Sequence, residues 1–344
     1  MSTQNPSATP TPWLKIGISI LGLVALLTVI LLAFALPALK SEPHDIPLAV
    51  AGPATAAEQV ADQLEAKDAE TFDLTVIETE DEARELIDDR EVYGAIVIGP
   101  QGMTMYTASA ASPAVSTMLT QMAAKMSAES GAKVPVEDVH PAADDDPNQR
   151  GLAAGALPLA LAGYISAIML ALTVVGTLRQ VIGLIVLTSV AAATLIAILQ
   201  FWFGSIAGDY WINTAAGALG ISAAAWMVLG LHAVLGKAGL GLGAATLILL
   251  GNPLSGLASA PELLPTGWST VGQLLPPGAT GTLLRSTGFF DGTGSTQAIW
   301  VLAVWVAVGV LMYAIGTTIS SAKRRKAQEA PHIETEPERS PSPA

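Results

Sequence analysis

Six stretches of the chain are long, apolar on all sides and almost free of charge, which is the pattern of helices that lie in lipid. The first covers residues 16–36. The other five follow residue 150 and cover 153–178, 181–203, 211–235, 238–260 and 298–319. At about 1.5 Å per residue, a helix of about 20 residues crosses a hydrocarbon core of about 30 Å. The pattern therefore predicts six membrane-spanning helices, although Pro253 interrupts the fifth.

Residues 41–150, between the first two predicted spans, have a different pattern. Four short apolar or alternating runs predict strands, at 46–51, 72–76, 95–98 and 103–107. Helical spacing predicts three helices, at 58–67, after the capping-box sequence Thr79–Glu82, and after Ser112-Pro113. The order βαβαββα predicts one small α/β domain. The predicted fold is therefore a membrane all-α bundle of six transmembrane helices, with an extracytoplasmic α/β domain inserted between helices one and two.

Two features of this α/β segment allow alternative interpretations. The helix after Ser112 carries an apolar face, which we interpret as core; the alternative is an adaptable ligand groove. This face consists of Val115, Met118, Leu119, Met122 and Met126. The run Asp144-Asp145-Asp146 could bind calcium. We interpret this run as a solvated surface, because it lacks the spaced ligands and the turn glycine of a calcium loop.

Composition and charge support this division. The chain has 344 residues, of which 51% are hydrophobic and 13% are charged, against about 25% charged in an ordinary soluble domain. That composition excludes a soluble globular protein and a disordered chain. Residues 41–150 contain 22 acidic and 6 basic residues. Such an acidic segment repels nucleic acid and anionic lipid, so neither is an expected partner of it. The apolar stretches make the lipid bilayer the expected partner of the rest of the chain.

Basic residues near the predicted spans indicate the orientation. With the N-terminus inside, the cytoplasmic flanks receive seven of them: Lys15, Arg179, Lys237, Lys323, Arg324, Arg325 and Lys326. The outer flanks receive three: Lys40, Arg150 and Arg285. The positive-inside rule therefore predicts a multi-pass protein of the cell membrane with both termini cytoplasmic and residues 41–150 outside. Residues 1–15 and 321–344 are predicted to be disordered cytoplasmic ends.

The first apolar stretch has two interpretations. Ala33-Phe34-Ala35 resembles the small-residue site at which a signal peptide is cleaved. The apolar region of a signal peptide is about 7–15 residues long, however, and the stretch 16–36 is longer. We therefore interpret it as an uncleaved anchor helix.

The sequence lacks the usual motifs of catalysis. It contains no cysteine, no phosphate-binding G-x-x-x-x-G-K-[ST] loop, no H-E-x-x-H and no G-x-S-x-G. We therefore predict no enzymatic activity, no catalytic residue, no cofactor and no metal. The predicted spans contain almost no Asp, Glu, Lys or Arg, which argues against proton-coupled transport.

The stretch between the fifth and sixth predicted spans is rich in proline and apolar. Residues 252–285 cannot form a continuous helix and are too apolar for a solvated loop, so a re-entrant hairpin covered by protein is predicted. Its candidate structural or gating residues are Pro253, Glu262, Pro265, Pro276, Pro277 and Arg285. Arg285 is predicted to pair with Glu262 or Asp291 and to hold the hairpin in shape.

Residues 89–98 (DREVYGAIVI) and the hairpin 252–285, with its L-P and P-P-G steps, carry a family resemblance. Together with the layout of one anchor, an outer domain and five further spans (153–320), they make the chain resemble type-2 ABC transporter permeases. The most similar branch is that of phage-infection-protein-like membrane proteins of actinobacteria and other Gram-positive bacteria. The resemblance implies an export permease for amphipathic or lipid-like cargo. It also implies a homodimer, or a heterodimer with a second permease, working with a separate cytoplasmic ATPase.

The family commonly contacts its ATPase through a segment between the second and third spans. In this chain the connection between those two spans is very short, and its candidate contact residues are Thr177, Arg179 and Gln180. A non-transporting membrane protein that displays its outer domain as an envelope scaffold or receptor is therefore the alternative function. A proton-coupled efflux protein ranks below both, because the ionisable relay is missing.

Overall fold

The structure, a computed structural model, describes residues 12–40, 42–67, 69–257 and 259–329. Its helices are α1 Trp13–Lys40, α2 Ala54–Lys67, α3 Glu80–Asp88, α4 Pro113–Ser130, α5 Arg150–Thr173, α6 Thr177–Ala197, α7 Tyr210–Leu235, α8 Lys237–Ala244, α9 Trp268–Gln273, α10 Pro276–Phe289 and α11 Thr296–Glu329. Its strands are β1 Ile46–Ala51, β2 Phe72–Ile77, β3 Gly94–Gly99, β4 Gly102–Thr107 and β5 Val136–Asp138.

The α/β segment forms one five-stranded sheet in the order β2-β1-β3-β4-β5. Strands β2, β1 and β3 are parallel, with Leu48 opposite Leu74, and β4 is antiparallel to β3. The β3–β4 pair is a hairpin turned at Pro100-Gln101, and β5 joins β4 in parallel. The four predicted strands are confirmed. Strand β5 was not predicted, because its three residues are all exposed and carry no apolar alternation.

Both faces of this sheet are covered by helices. Alternate residues of β1, such as Leu48, point to α2 and α4, while Ala49 and Ala51 point to the side of α3. The methionine face of α4 packs into the first of these cores, so its interpretation as core is confirmed. The predicted capping box is also present, since the Thr79 hydroxyl accepts a hydrogen bond from the Glu82 backbone N–H at 3.2 Å.

The apolar helices surround α7, which packs against α5, α6, α10 and α11. Helices α5 and α6 are antiparallel, with Gly155 beside Leu199, and α7 and α11 are parallel, with Gly309 beside Trp226. The α/β domain, the start of α5 and the start of α11 therefore lie at one end of the bundle, which we call the domain end. The α5–α6 connection and the end of α7 lie at the opposite end.

Five helices are long and apolar enough to cross a membrane: α1, α5, α6 with its π-helical extension to Trp202, α7 and α11. The fifth predicted span, 238–260, differs. Its apolar helix covers Lys237–Gly251, about 22 Å at about 1.5 Å per residue, and then gives way to a 3₁₀ turn at Pro253–Ser255. Pro253 cannot donate the hydrogen bond that a continuing helix needs. The structure thus supports five spans and leaves the sixth unconfirmed.

The ends of the chain also differ from the predicted boundaries. Helix α1 begins at Trp13, inside the predicted disordered start, and α11 continues to Glu329, past the predicted boundary at 320. The remaining parts of the predicted disordered ends, residues 1–11 and 330–344, lie outside the described residues. Almost all described side chains of α1 are exposed, as expected of an anchor helix surrounded by lipid.

Close packing of α7 on α11 gives a test of the bundle. A Cβ atom at Gly309 would clash with the backbone carbonyl group of Trp226. We therefore expect Gly309→Ala to destabilise the protein by about 1–3 kcal/mol, measured as a lower midpoint of thermal unfolding in mild detergent. The control is Gly241→Ala, where a Cβ would meet nothing within 4 Å. Equal midpoints for the two variants would contradict this packing.

Candidate functional site

The predicted proline-rich hairpin consists of short helices rather than one span. Pro253 and Pro261 begin two 3₁₀ turns, and Pro276 and Pro277 are the first residues of α10. Pro265 lies in the turn before α9, where its carbonyl accepts a hydrogen bond from the Trp268 backbone N–H at 2.9 Å. Proline suits these starting positions because the first N–H groups of a helix have no partner within the helix.

Side chains from elsewhere in the chain satisfy the free carbonyl groups of this hairpin. The Ser112 hydroxyl, from the α/β domain, donates to the Ser259 carbonyl at 2.9 Å. The Trp305 indole, from α11, donates to the Leu274 carbonyl at 2.8 Å. Since an unpaired buried carbonyl is costly, these bonds allow irregular backbone at the domain end of the bundle.

The α/β domain contacts the hairpin most directly at Glu262. The Tyr93 hydroxyl donates to a Glu262 carboxylate oxygen at 2.7 Å, and the His44 backbone N–H donates to the Glu262 carbonyl at 3.2 Å. Arg90 extends from the same domain to α10, where its guanidinium donates to the Ser286 hydroxyl and, at 3.3 Å, to the Thr282 carbonyl. The domain and the hairpin therefore form one hydrogen-bonded junction.

The predicted ion pair of Arg285 is wrong. Only 3% of Arg285 is exposed, and its guanidinium donates to the Gln149 side-chain oxygen and to the Leu257 carbonyl, both at 3.3 Å. Glu262 accepts from Tyr93 instead, and Asp291 is exposed. Gln149 in turn donates to the Ala110 carbonyl at 2.6 Å, so Arg285 is connected to the α/β domain through neutral groups.

Arg90, Tyr93, Glu262 and Arg285 line a cleft of about 240 Å³ between the α/β domain and the hairpin. Burial, and then the neighbouring Glu262 carboxylate, raise the pKa of the Tyr93 hydroxyl, so it remains a hydrogen-bond donor at neutral pH. Burial lowers the pKa of the Arg90 guanidinium, while Tyr93 and Glu262 oppose this shift. An arginine starts from so high a pKa that it remains cationic. The cleft can therefore offer fixed positive charge and several N–H donors.

The other predicted site, for contact with an ATPase, lies at the opposite end of the bundle. Thr177, Arg179 and Gln180 form the first turn of α6 rather than a loop. Arg179 is exposed, whereas the Gln180 amide donates to the carbonyls of Leu170 and Val174 and accepts from the Tyr313 hydroxyl at 2.5 Å. Gln180 therefore fixes the α5–α6 connection. Thr177 and Gln180 line a groove of about 410 Å³ with His232, Tyr313 and Ser320.

The calcium alternative has no support in the described part of the chain, where no group of three or more acidic, His or Cys side chains could hold a metal ion. Asp146 has a different role. Its two carboxylate oxygens accept hydrogen bonds from the Arg150 and Gly151 backbone N–H groups at 2.8 and 2.7 Å, at the start of α5. A carboxylate there also interacts favourably with the positive end of the helix dipole.

Sequence reasoning found Glu262 and Arg285 but not their neighbours Arg90, Tyr93 and Gln149. Arg90 and Tyr93 lie in the run 89–98 that carries the family resemblance, yet their contacts are with residues about 170 to 200 positions later. No local pattern reveals such pairs. The signal that the sequence does offer is position. Tyr93 directly precedes the buried strand β3, and Arg90 lies in the turn before it.

The junction predicts a specific effect of Tyr93→Phe. In this variant the partly buried Glu262 carboxylate loses its hydroxyl donor. We expect this loss to lower the free energy of unfolding by about 1–3 kcal/mol. We expect a lower unfolding midpoint and faster hydrogen exchange in residues 261–273. The control Tyr106→Phe removes a hydroxyl that bonds within the α/β domain. It should leave exchange in 261–273 unchanged; equal exchange in the two variants would contradict the junction.

Comparison with known families gives one result. A family model described as ABC-2 family transporter protein matches residues 15–321, which include the long apolar helices, the α/β domain and the hairpin. Searches of curated proteins and of solved structures give no significant match. Since the family match covers most of the 344 residues, the chain belongs to the ABC-2 family of transporter proteins, the membrane-embedded permease components of ABC transporters.

Proposed function

We propose that the chain is the permease subunit of a type-2 ABC exporter, moving amphipathic or lipid-like cargo outward with a separate cytoplasmic ATPase. The observation that carries this proposal is the family match over residues 15–321. We further propose that the permease works as a homodimer or as a heterodimer with a second permease. In this proposal both termini are cytoplasmic and the α/β domain is outside the cell membrane.

The character of the bundle supports energy supplied by a partner. Within the described parts of α5, α6, α7 and α11, the buried polar residues are Ser166, Thr188 and Asn213, and no Asp, Glu, Lys or Arg is buried. Proton-coupled transporters place ionisable groups at membrane depth, so these helices lack the parts of such a relay. ATP hydrolysis by another subunit would supply the energy instead.

In this proposal the two ends of the bundle have different functions, contact with the ATPase at one end and contact with cargo or lipid at the other. The groove beside Thr177, Gln180 and Tyr313 lies at the end opposite the α/β domain, where a cytoplasmic ATPase would dock in the proposed orientation. Arg179 is exposed there at the start of α6. At the domain end, the cleft and the hairpin would meet cargo or lipid.

The proposed orientation can be tested directly because the chain has no cysteine. Single cysteines are introduced as Lys67→Cys, in the α/β domain, and as Ser321→Cys, near the end of α11; both positions are exposed. We expect a membrane-impermeant maleimide to label the first variant in intact cells and the second only after permeabilisation. The reverse pattern would place the α/β domain in the cytoplasm and overturn outward export.

The ATPase partner is tested by crosslinking in native membranes, followed by purification in mild detergent and identification of co-purified proteins. We expect a nucleotide-hydrolysing subunit, recovered several-fold less with Arg179→Glu because the substitution reverses an exposed charge at the proposed contact. The control Lys133→Glu reverses an exposed charge on the α/β domain and should leave recovery unchanged. Repeated purification without any such subunit would contradict the exporter.

One observation favours the second candidate, a non-transporting protein that displays its outer domain as a scaffold or receptor. Only Val174, Val175 and Gly176 separate α5 from α6, so no separate helix is present there to contact an ATPase. The same purification separates the candidates, because a display protein would be recovered without a nucleotide-hydrolysing subunit.

A further inference from the structure

The cleft between the α/β domain and the hairpin contains more buried positive than negative charge. Arg285 is almost wholly buried, and its guanidinium donates hydrogen bonds to neutral oxygens of Gln149 and Leu257. Arg90 likewise donates to neutral oxygens, those of Ser286 and Thr282. Within the ranges that the structure describes, neither guanidinium forms an ion pair with a carboxylate.

Glu262 is a carboxylate of the same cleft whose negative charge acts on both arginines. One of its oxygens already accepts the Tyr93 hydroxyl, and it is a single negative charge beside two positive ones. Glu91 also lines the cleft, but its side chain is exposed to solvent. A buried cation without a paired anion is costly, so this arrangement favours a ligand that brings negative charge.

The two guanidinium groups keep donors for such a ligand. A guanidinium has five N–H groups in a planar fork that suits carboxylate and phosphate oxygens. The hydrogen bonds of Arg90 use its Nη1 atom, and those of Arg285 use Nε and Nη2. The Nη2 atom of Arg90 and the Nη1 atom of Arg285 therefore retain N–H donors beside a cleft of about 240 Å³.

We propose that this cleft binds the phosphate group of a membrane lipid, held between Arg90 and Arg285. The cleft lies at the domain end of the bundle, where α5 and α11 begin. Exposed Trp211 and Trp300 lie one turn or less inside helices that begin at the same end, and such residues mark the headgroup level of a bilayer. The inference does not need an ATPase, so it is separate from the proposed export function.

The test uses the full chain purified in mild detergent and titrated with dioctanoyl phosphatidylglycerol, with binding followed by intrinsic tryptophan fluorescence. Dioctanoylglycerol, which has the same acyl chains and no phosphate, is the matched ligand. We expect saturable binding of the phospholipid and at least tenfold weaker binding of dioctanoylglycerol. Equal binding of the two would overturn the proposal, because the chains rather than the phosphate would then be recognised.

Substitutions test the charge balance in both directions. Arg90→Gln should weaken phospholipid binding by about tenfold or more, the usual worth of a charge-assisted hydrogen bond. Glu262→Gln removes the competing negative charge while its amide oxygen can still accept the Tyr93 hydroxyl, so binding should become several-fold tighter. A purely structural role of these residues would not tighten binding, and no gain with Glu262→Gln would overturn the proposal.

Two controls complete the test. Lys133→Gln removes an exposed charge of the α/β domain that does not line the cleft and should leave binding unchanged; an equal loss there would indicate general surface electrostatics and overturn the site. Inorganic phosphate is the second probe. Weak or absent competition by phosphate at millimolar concentration supports a lipid ligand. Competition at the affinity of the phospholipid would show that free phosphate is the ligand and overturn the lipid assignment.

Discussion

Backbone that leaves the helical conformation beside a bilayer needs hydrogen-bond partners from the protein, because hydrocarbon supplies none. Residues 252–257 and 259–267 include such backbone, and carbonyl groups between Leu257 and Leu274 accept hydrogen bonds from three different parts of the chain. Ser112 comes from the α/β domain, Arg285 from α10 and Trp305 from α11. Both the α/β domain and the bundle therefore contribute hydrogen-bond donors to the hairpin.

Helix α7 connects this junction with the far end of the molecule. Close to the middle of α7, Gly220 lies against Thr280 of α10, the helix that also carries Arg285. Farther along, Trp226 packs edge-on against Tyr313 of α11, whose hydroxyl donates to Gln180 in the groove at the opposite end. Close packing therefore occurs along α7 both where it meets α10 and where it meets α11.

Where sequence and structure disagree, the cause is a contact between distant residues or a competing local bond. Charge alone predicts that Arg285 pairs with Glu262 or Asp291, but Glu262 accepts from the Tyr93 hydroxyl and Arg285 donates to neutral oxygens. The predicted fifth span has enough apolar residues, yet its helix ends at Gly251, just before Pro253. Gln180 lies in the first turn of α6 rather than in a loop, and its amide bonds hold the connection between α5 and α6.

The sequence by itself determined the long apolar helices, the strand order along the chain and the helix caps at Thr79 and Ser112, because periodicity and capping depend on residues a few positions apart. It also determined the family. Only the tertiary structure decided that the α/β domain sits on the hairpin, and that Arg90 and Arg285 share one cleft. These residues are about 200 positions apart, and what brings them together is the burial of surfaces that no local pattern identifies.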